Sequence, residues 1–197
     1  MFISIGILLP IFIFKDILIN EFQYQTYKNT STIAVINDAK ETSSSNNTNI
    51  NFVDSSFGIF IPKINANAKI LENIDPFNPI EYDNALKNGI AHAKGSSLPG
   101  DSGNIFLFAH SATDFYKNSK LNVKFYLLSK LVKGDLIYIS FKGKTTKYVV
   151  ENLNKVDKNE IKYIGNYLDK NSLTLMTCWP IGIDYKRLIV TAVEQPL

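Results

Sequence analysis

A single cysteine, Cys178, and only two histidines, His92 and His110, stand in a chain of 197 residues. One thiol forbids an intramolecular disulfide, and one thiol beside two imidazoles leaves too few soft ligands for a structural zinc site. Packing must therefore hold the fold, and neither a metal nor a cofactor is expected. A dominant charge sign is missing too: 21 basic residues are scattered among 18 acidic ones, for a net charge of +3. Nucleic-acid binders concentrate Lys and Arg on a patch or stripe, so nucleic acid is not an expected partner. Internal repeats are also missing. What is present, 45% hydrophobic and 12% aromatic residues, excludes a wholly disordered or collagen-like polymer.

Long apolar runs are confined to the beginning of the sequence. Met1 to Phe14 is apolar apart from Ser4, Gly6 and Pro10, and Lys15 and Asp16 interrupt it before the short step Ile17 to Ile19. A bilayer span takes roughly 20 residues and a secretory apolar region about 7 to 15. No small-residue cleavage pattern follows, so residues 1–19 are expected to form a membrane anchor or signal segment, a retained anchor helix being preferred to a cleaved signal. No Lys or Arg precedes the run, so the charge-bias rule gives no orientation. Residues 20–51 turn polar, and Thr42 to Asn51 is almost wholly Ser, Thr and Asn, too poor in apolar groups to offset the entropy of ordering. This stretch is expected to be a stalk, with Tyr24, Tyr27 and the run Ile33 to Ile36 as the parts able to dock on the following domain.

Residues 52–197 alternate apolar clusters with Gly, Asn, Asp and Pro turns, the pattern of an all-β domain with short helices. Strands are expected at Phe57 to Ile61, Ala68 to Leu71, Asn104 to Ala109, Asp135 to Phe141, Thr145 to Glu151, Leu173 to Thr177 and Arg187 to Val193. Seven or eight short strands suggest a barrel. Asn78, Pro79 and Glu81 supply an N-cap, a Pro at the first helical position and a capping-box acid, with Gly89 where the helix would stop. Phe125, Leu128, Leu131 and Val132 form a helical stripe before Gly134. Asp157 and Glu160 offer another capping box ahead of Ile161 and Ile164. That box lies in the long connection between Glu151 and Leu173, and its length makes the connection a candidate wall of a binding groove.

A lone cysteine is more often an inert buried residue than a nucleophile. The address of Cys178 argues otherwise: it ends the strand run Leu173 to Thr177 and precedes Trp179-Pro180, where a proline stops the ladder, so the thiol sits at a rim. His110 has the matching position at the exit of the apolar run Asn104 to Ala109. Arg187 opens the run Leu188 to Val190, where a guanidinium must face water or serve a site. His92 is the rival imidazole. It lies in Gly89 to Gly95, which lacks a strand pattern, and is read as a pocket-side or structural residue.

The run Thr174-Leu175-Met176-Thr177-Cys178 resembles the TLxTC signature of sortases, the membrane-anchored cysteine transpeptidases of bacterial surfaces. Pro180, Gly182 and Arg187 to Val190 resemble the TCxPxG…RL(I/L)V run of the pilin-polymerising and class D/E-like branches. Gly89 to His92, Leu98 to Gly100, Gly103-Asn104 and Ala109-His110 are similar to the family's GxxH…LPG…GN…GH block, and Ile61 to Ile64 to its first-strand IPKI. These blocks occur in family order across nearly all of Phe57 to Val193, with Ala109 in place of the usual Gly before the histidine.

The resemblance implies a closed eight-stranded β-barrel preceded by an N-terminal membrane anchor. It also implies a trio in which Cys178 is the nucleophile, His110 the acid/base and Arg187 the support of the transition state. Elementary chemistry agrees: a thiolate attacks, an imidazole moves the proton, and a multi-donor cation holds the developing oxyanion. Met176 and Thr177 are expected to touch substrate because they adjoin the thiol. The implied reaction cleaves a C-terminal LPxTG-like sorting signal of a secreted surface protein between Thr and Gly. An amine of a peptidoglycan precursor or pilin then takes the acyl group from a Cys thioester. The implied location is the cell membrane, single-pass, with the catalytic domain outside. Some sortases bind calcium near the place of Asp157, Glu160 and Asp169, but Lys155, Lys158 and Lys162 are interleaved and a solvated face is expected.

Two other cysteine enzymes fit poorly. The SHGC-type block of L,D-transpeptidases is absent around Cys178, and papain-like proteases place Cys before His, the reverse of this chain. The competing reading is a membrane-tethered barrel that binds rather than reacts, with Cys178 inert.

Overall fold

A computed structural model describes residues 21–22, 24–26, 50–111, 125–160, 162–164, 170–181 and 183–197. The expected anchor 1–19, most of the expected stalk including Tyr27 and 33–36, and Ile161, Asp169 and Gly182 lie outside the described residues. Among the described residues no helix is long and apolar enough to cross a membrane.

Eight strands follow in chain order: β1 (Phe57–Ile61), β2 (Ala66–Ile74), β3 (Ile90–Ala93), β4 (Asn104–Phe108), β5 (Leu136–Phe141), β6 (Lys144–Asp157), β7 (Ser172–Trp179) and β8 (Lys186–Gln195). They close into a barrel in the order β1-β2-β3-β4-β7-β8-β6-β5. Inward-facing Ile59, Ile61, Ile137, Ile139, Leu173 and Leu175 are fully buried in one continuous core. Burial of each such side chain contributes about 1.5–3 kcal/mol.

β4 is buried at all five positions. It lies between β3, to which it is antiparallel, and β7, to which it is parallel. A strand covered on both faces needs an unbroken apolar run, which Ile105 to Phe108 supplies. Its pairing with β7 is fixed at one end by Asn104. That buried amide donates to the Tyr163 carbonyl (2.9 Å) and accepts from the hydroxyls of Ser172 (3.0 Å) and Thr174 (2.9 Å). Buried amides are costly unless satisfied, so this cluster resists slippage of one strand along the other.

The helix Pro79–Leu86 (α1) begins as its sequence dictates: the Asn78 side chain accepts from the Glu81 N–H, and Glu81 reaches back to the Asp75 N–H at 3.1 Å. Gly89 follows for a different reason than a helix stop. A Cβ there would lie 2.5 Å from the Lys69 carbonyl oxygen of β2, so glycine permits the close approach that starts β3.

Several local expectations change. β3 had no strand pattern because all four of its residues are buried, which removes the in/out alternation. The stripe at Phe125 to Val132 is a turn and a 3-10 segment, Leu128–Lys130, with Val132 exposed. β6 runs on to Asp157, past a register shift between Val150 and Asn152, so Asp157 ends a strand instead of capping a helix. Asp157 accepts from the Asn159 N–H (2.9 Å), and Glu160 pairs with Lys162 (3.4 Å). Tyr24, within the expected stalk, packs on the barrel, with Lys130 5.4 Å over its ring and 3.9 Å from Glu21.

Candidate active site

The parallel register of β4 on β7 sets Phe108 level with Met176. Ala109 prolongs it, its N–H donating to the Met176 carbonyl (3.2 Å). Two residues further along each chain are His110 and Cys178. Side chains two apart share a face of a strand, so the imidazole and the thiol are carried out of the same end of the barrel together. On the other side of β7, the antiparallel register of β8 sets Arg187 directly opposite Cys178. Three residues separated in sequence are brought to one end of the barrel because one strand, β7, has those two neighbours.

His110, Cys178 and Arg187 all line one cleft of about 300 Å³. Met176 and Thr177 line it too. The Thr177 hydroxyl donates to the Ala109 carbonyl (2.8 Å), so its proton fastens the chain beside His110. Further lining comes from Pro76, in the loop after β2, and from Tyr82, Asp83 and Leu86 of α1. No described residue of the long connection before β7 contributes to the lining. Residues 161 and 165–169 of that connection lie outside the described residues; the described lining includes α1, which the sequence reading did not choose.

His92 is not in the cleft. It is a buried residue of β3, where Nδ1 accepts from the Asn73 N–H (3.2 Å) and Nε2 faces the Ser97 carbonyl (3.0 Å) and the Ser96 hydroxyl (2.9 Å). An Nδ1 that accepts from a backbone N–H requires the neutral ring with its proton on Nε2. Burial accordingly holds the His92 pKa below its ordinary value.

One residue of the site escaped sequence reasoning. Asp184, in the loop between β7 and β8, accepts a hydrogen bond from Arg187 Nη1 and lies 3.7 Å from Cys178 Sγ. The Arg187 hydrogen bond holds its carboxyl below the usual range. Burial pushes the Cys178 thiol upward, the Arg187 charge opposes this, and the Asp184 charge and hydrogen bond add to it. A loop carboxylate three residues before an arginine has no pattern that separates it from a surface ion pair. Beside the cleft, Lys155 stands 4.3 Å over the Trp179 ring.

The sortase domain model matches residues 59–195, more than half of the chain and all eight strands but for the first two residues of β1. The chain belongs to the sortase family. It is 30% identical to Sortase D of Bacillus subtilis over 133 residues, covering 66% of this chain and 59% of that protein. Among solved structures, sortase C-1 of Actinomyces oris matches with a TM-score of 0.60 and 30% identity, over 74% of this chain and 76% of that one. A Sortase D5 transpeptidase of Clostridium perfringens matches with a TM-score of 0.58 and 25% identity, over 75% and 82%. This sortase thus spans less than two thirds of the length of the curated Sortase D it matches.

Proposed function

We propose that this sortase is a cysteine transpeptidase that cleaves an LPxTG-like C-terminal sorting signal between Thr and Gly. The observation that carries the reading is the convergence of His110, Cys178 and Arg187 on one cleft through the two neighbours of β7. Cys178, as thiolate, attacks the Thr carbonyl carbon, and the carbonyl electrons move to oxygen. Arg187 donates to that oxyanion, a service for which its fixed fork of N–H groups suits it. The C–N bond then breaks, His110 gives its proton to the departing Gly amine, and the Thr acyl group is left as a thioester on Cys178. An incoming amine attacks the thioester, His110 takes its proton, and the thiolate departs as the new amide forms. The exposed mouth of the cleft admits a peptide from one partner and an amine from a second.

The donor is a secreted surface protein carrying a sorting signal, and the acceptor an amine of a peptidoglycan precursor or a pilin. Residues 1–19 anchor the chain in the cell membrane as a single span, residues 20–51 form the stalk, and the barrel 52–197 works on the outer side. Mass spectrometry of the full chain under reducing conditions tests the chemistry. Exposure to sorting peptides yields an adduct on Cys178 with the mass of the donor less its Gly-initiated tail. A panel of such peptides that leaves no adduct, on a folded and reduced protein, overturns the reading.

A further inference from the structure

The Asp184 carboxylate bonds to the two groups that the proposed reaction needs free. It accepts from Arg187 Nη1 and stands 3.7 Å from the Cys178 sulfur, where the thiol proton points at it. An oxyanion stabiliser already engaged by a carboxylate has an internal ligand in place of the substrate oxygen. A thiolate beside that carboxylate would also be one anion next to another. Asp184 therefore opposes both the binding step and the ionisation step through the same oxygen atom.

We propose that Asp184 is a gate on the acyl-donor site, closed over Arg187 and Cys178 in the free enzyme and displaced when the donor's carbonyl takes its place on Arg187. The inference rests on the transpeptidase reading and adds a control to it. Three features make the gate openable. The Asp184 side chain is 58% exposed while that of Arg187 is 19% exposed, so the anion that must move is the one already reaching into water. Exposed ion pairs are weak, and a ligand with several contacts overcomes one. Lys158, in the turn after β6, also favours the Asp184 anion and gives it a cation to face once it leaves Arg187. The loop that carries Asp184 exposes Ile183 and Tyr185, apolar groups that a bound peptide would cover as the carboxylate swings away.

Among the described residues, the charged and titratable groups around Cys178 are Arg187 and Asp184 from β8 and its loop, His110 from beyond the end of β4, Asp83 and Tyr82 from α1, and Lys158 from beyond β6. Of these, Asp184 is the anion within contact of the thiol, and its substitution isolates the effect. The test compares the full-chain wild type with Asp184→Asn and Asp184→Ala by iodoacetamide alkylation of Cys178 across pH, and by steady-state kinetics on a sorting peptide. The gate predicts that the alkylation midpoint moves to lower pH in both variants, with the rate at pH 7 rising roughly 3- to 10-fold. It also predicts that KM for the donor falls while the wild-type enzyme alone shows acceleration of KM-limited turnover when salt screens the pair. An unmoved midpoint, or a raised KM with slower alkylation, overturns the gate and makes Asp184 a support that holds Arg187 in place. If no variant turns over any peptide while the alkylation midpoint still shifts, the sorting reading fails and the control of the thiol by Asp184 stands.

Discussion

The hydroxyl of Thr177 donates to the carbonyl oxygen of Ala109 across 2.8 Å, so the residue before Cys178 holds the residue before His110. Both partners are buried, and the bond joins two strands that meet nowhere near each other in sequence. It ends a line of ties between β4 and β7 that begins at Asn104, and it places the last fastening one residue short of His110 and Cys178.

Replacing Thr177 by Val keeps the shape of the side chain and removes the donor. A buried carbonyl that loses a partner costs about 1–3 kcal/mol. The T177V variant is expected to lose that much in urea unfolding and to lose about tenfold or more in kcat/KM, because the His110 chain is then free to drift from the thiol. T177S, which restores the donor, recovers most of the activity. Equal activity of T177V and wild type would show that the fastening has no bearing on the chemistry.

Arg187→Lys separates charge from geometry. The ammonium keeps the positive charge near Cys178 but lacks the fork of donors. If the guanidinium serves the oxyanion, kcat falls about 10²- to 10³-fold, the scale of losing one preorganised donor, while the melting temperature holds. Loss in KM alone, with kcat intact, would make Arg187 a binding residue only.

His92 predicts a pH dependence of stability whose sign follows from its geometry. Its folded pKa lies below the ordinary value of about 6.5 because burial disfavours the cation. Between those two values the unfolded chain binds the proton and the folded chain does not, so stability is complete above about pH 6.5 and declines as pH falls toward the folded value. The slope from one such group is at most about 1.4 kcal/mol per pH unit. Urea unfolding of wild type against His92→Gln, from pH 7.5 to 5, reads the difference directly. The variant is expected to be less stable at pH 7 and to converge on wild type as the solution is acidified. Parallel curves would mean that His92 keeps the same protonation in both states.

Much of this architecture was written plainly in the sequence. β1 begins and ends where its apolar run does, and the Asn78 to Glu81 box caps α1 through the bonds its residue types suggest. Such features depend on neighbours along the chain. The positions of His110, Cys178 and Arg187 at strand ends were legible for the same reason, although their meeting depends on which strands pair. What could not be read depends on packing between distant segments. Total burial erased the alternation of β3, and Gly89 owes its identity to Lys69 on another strand. Pro76, Tyr82 and Leu86 became a wall only because α1 folds beside the β4–β7 pair. Asp184 carries no periodic or capping signal, and its importance lies in the two atoms it touches.

Closure of the barrel has a consequence for how any extended ligand is held. Every strand has a neighbour on each side for at least part of its length, so among the described residues the sheet has no fully open edge strand beside which an incoming chain could be added. Main-chain recognition of that kind is sequence-tolerant, because every peptide carries the same N–H and C=O groups. A ligand entering the cleft meets the side chains and loops at one end of the barrel. Selectivity then becomes a property of a few exchangeable residues, and it can be altered without disturbing the ladders that keep the fold closed.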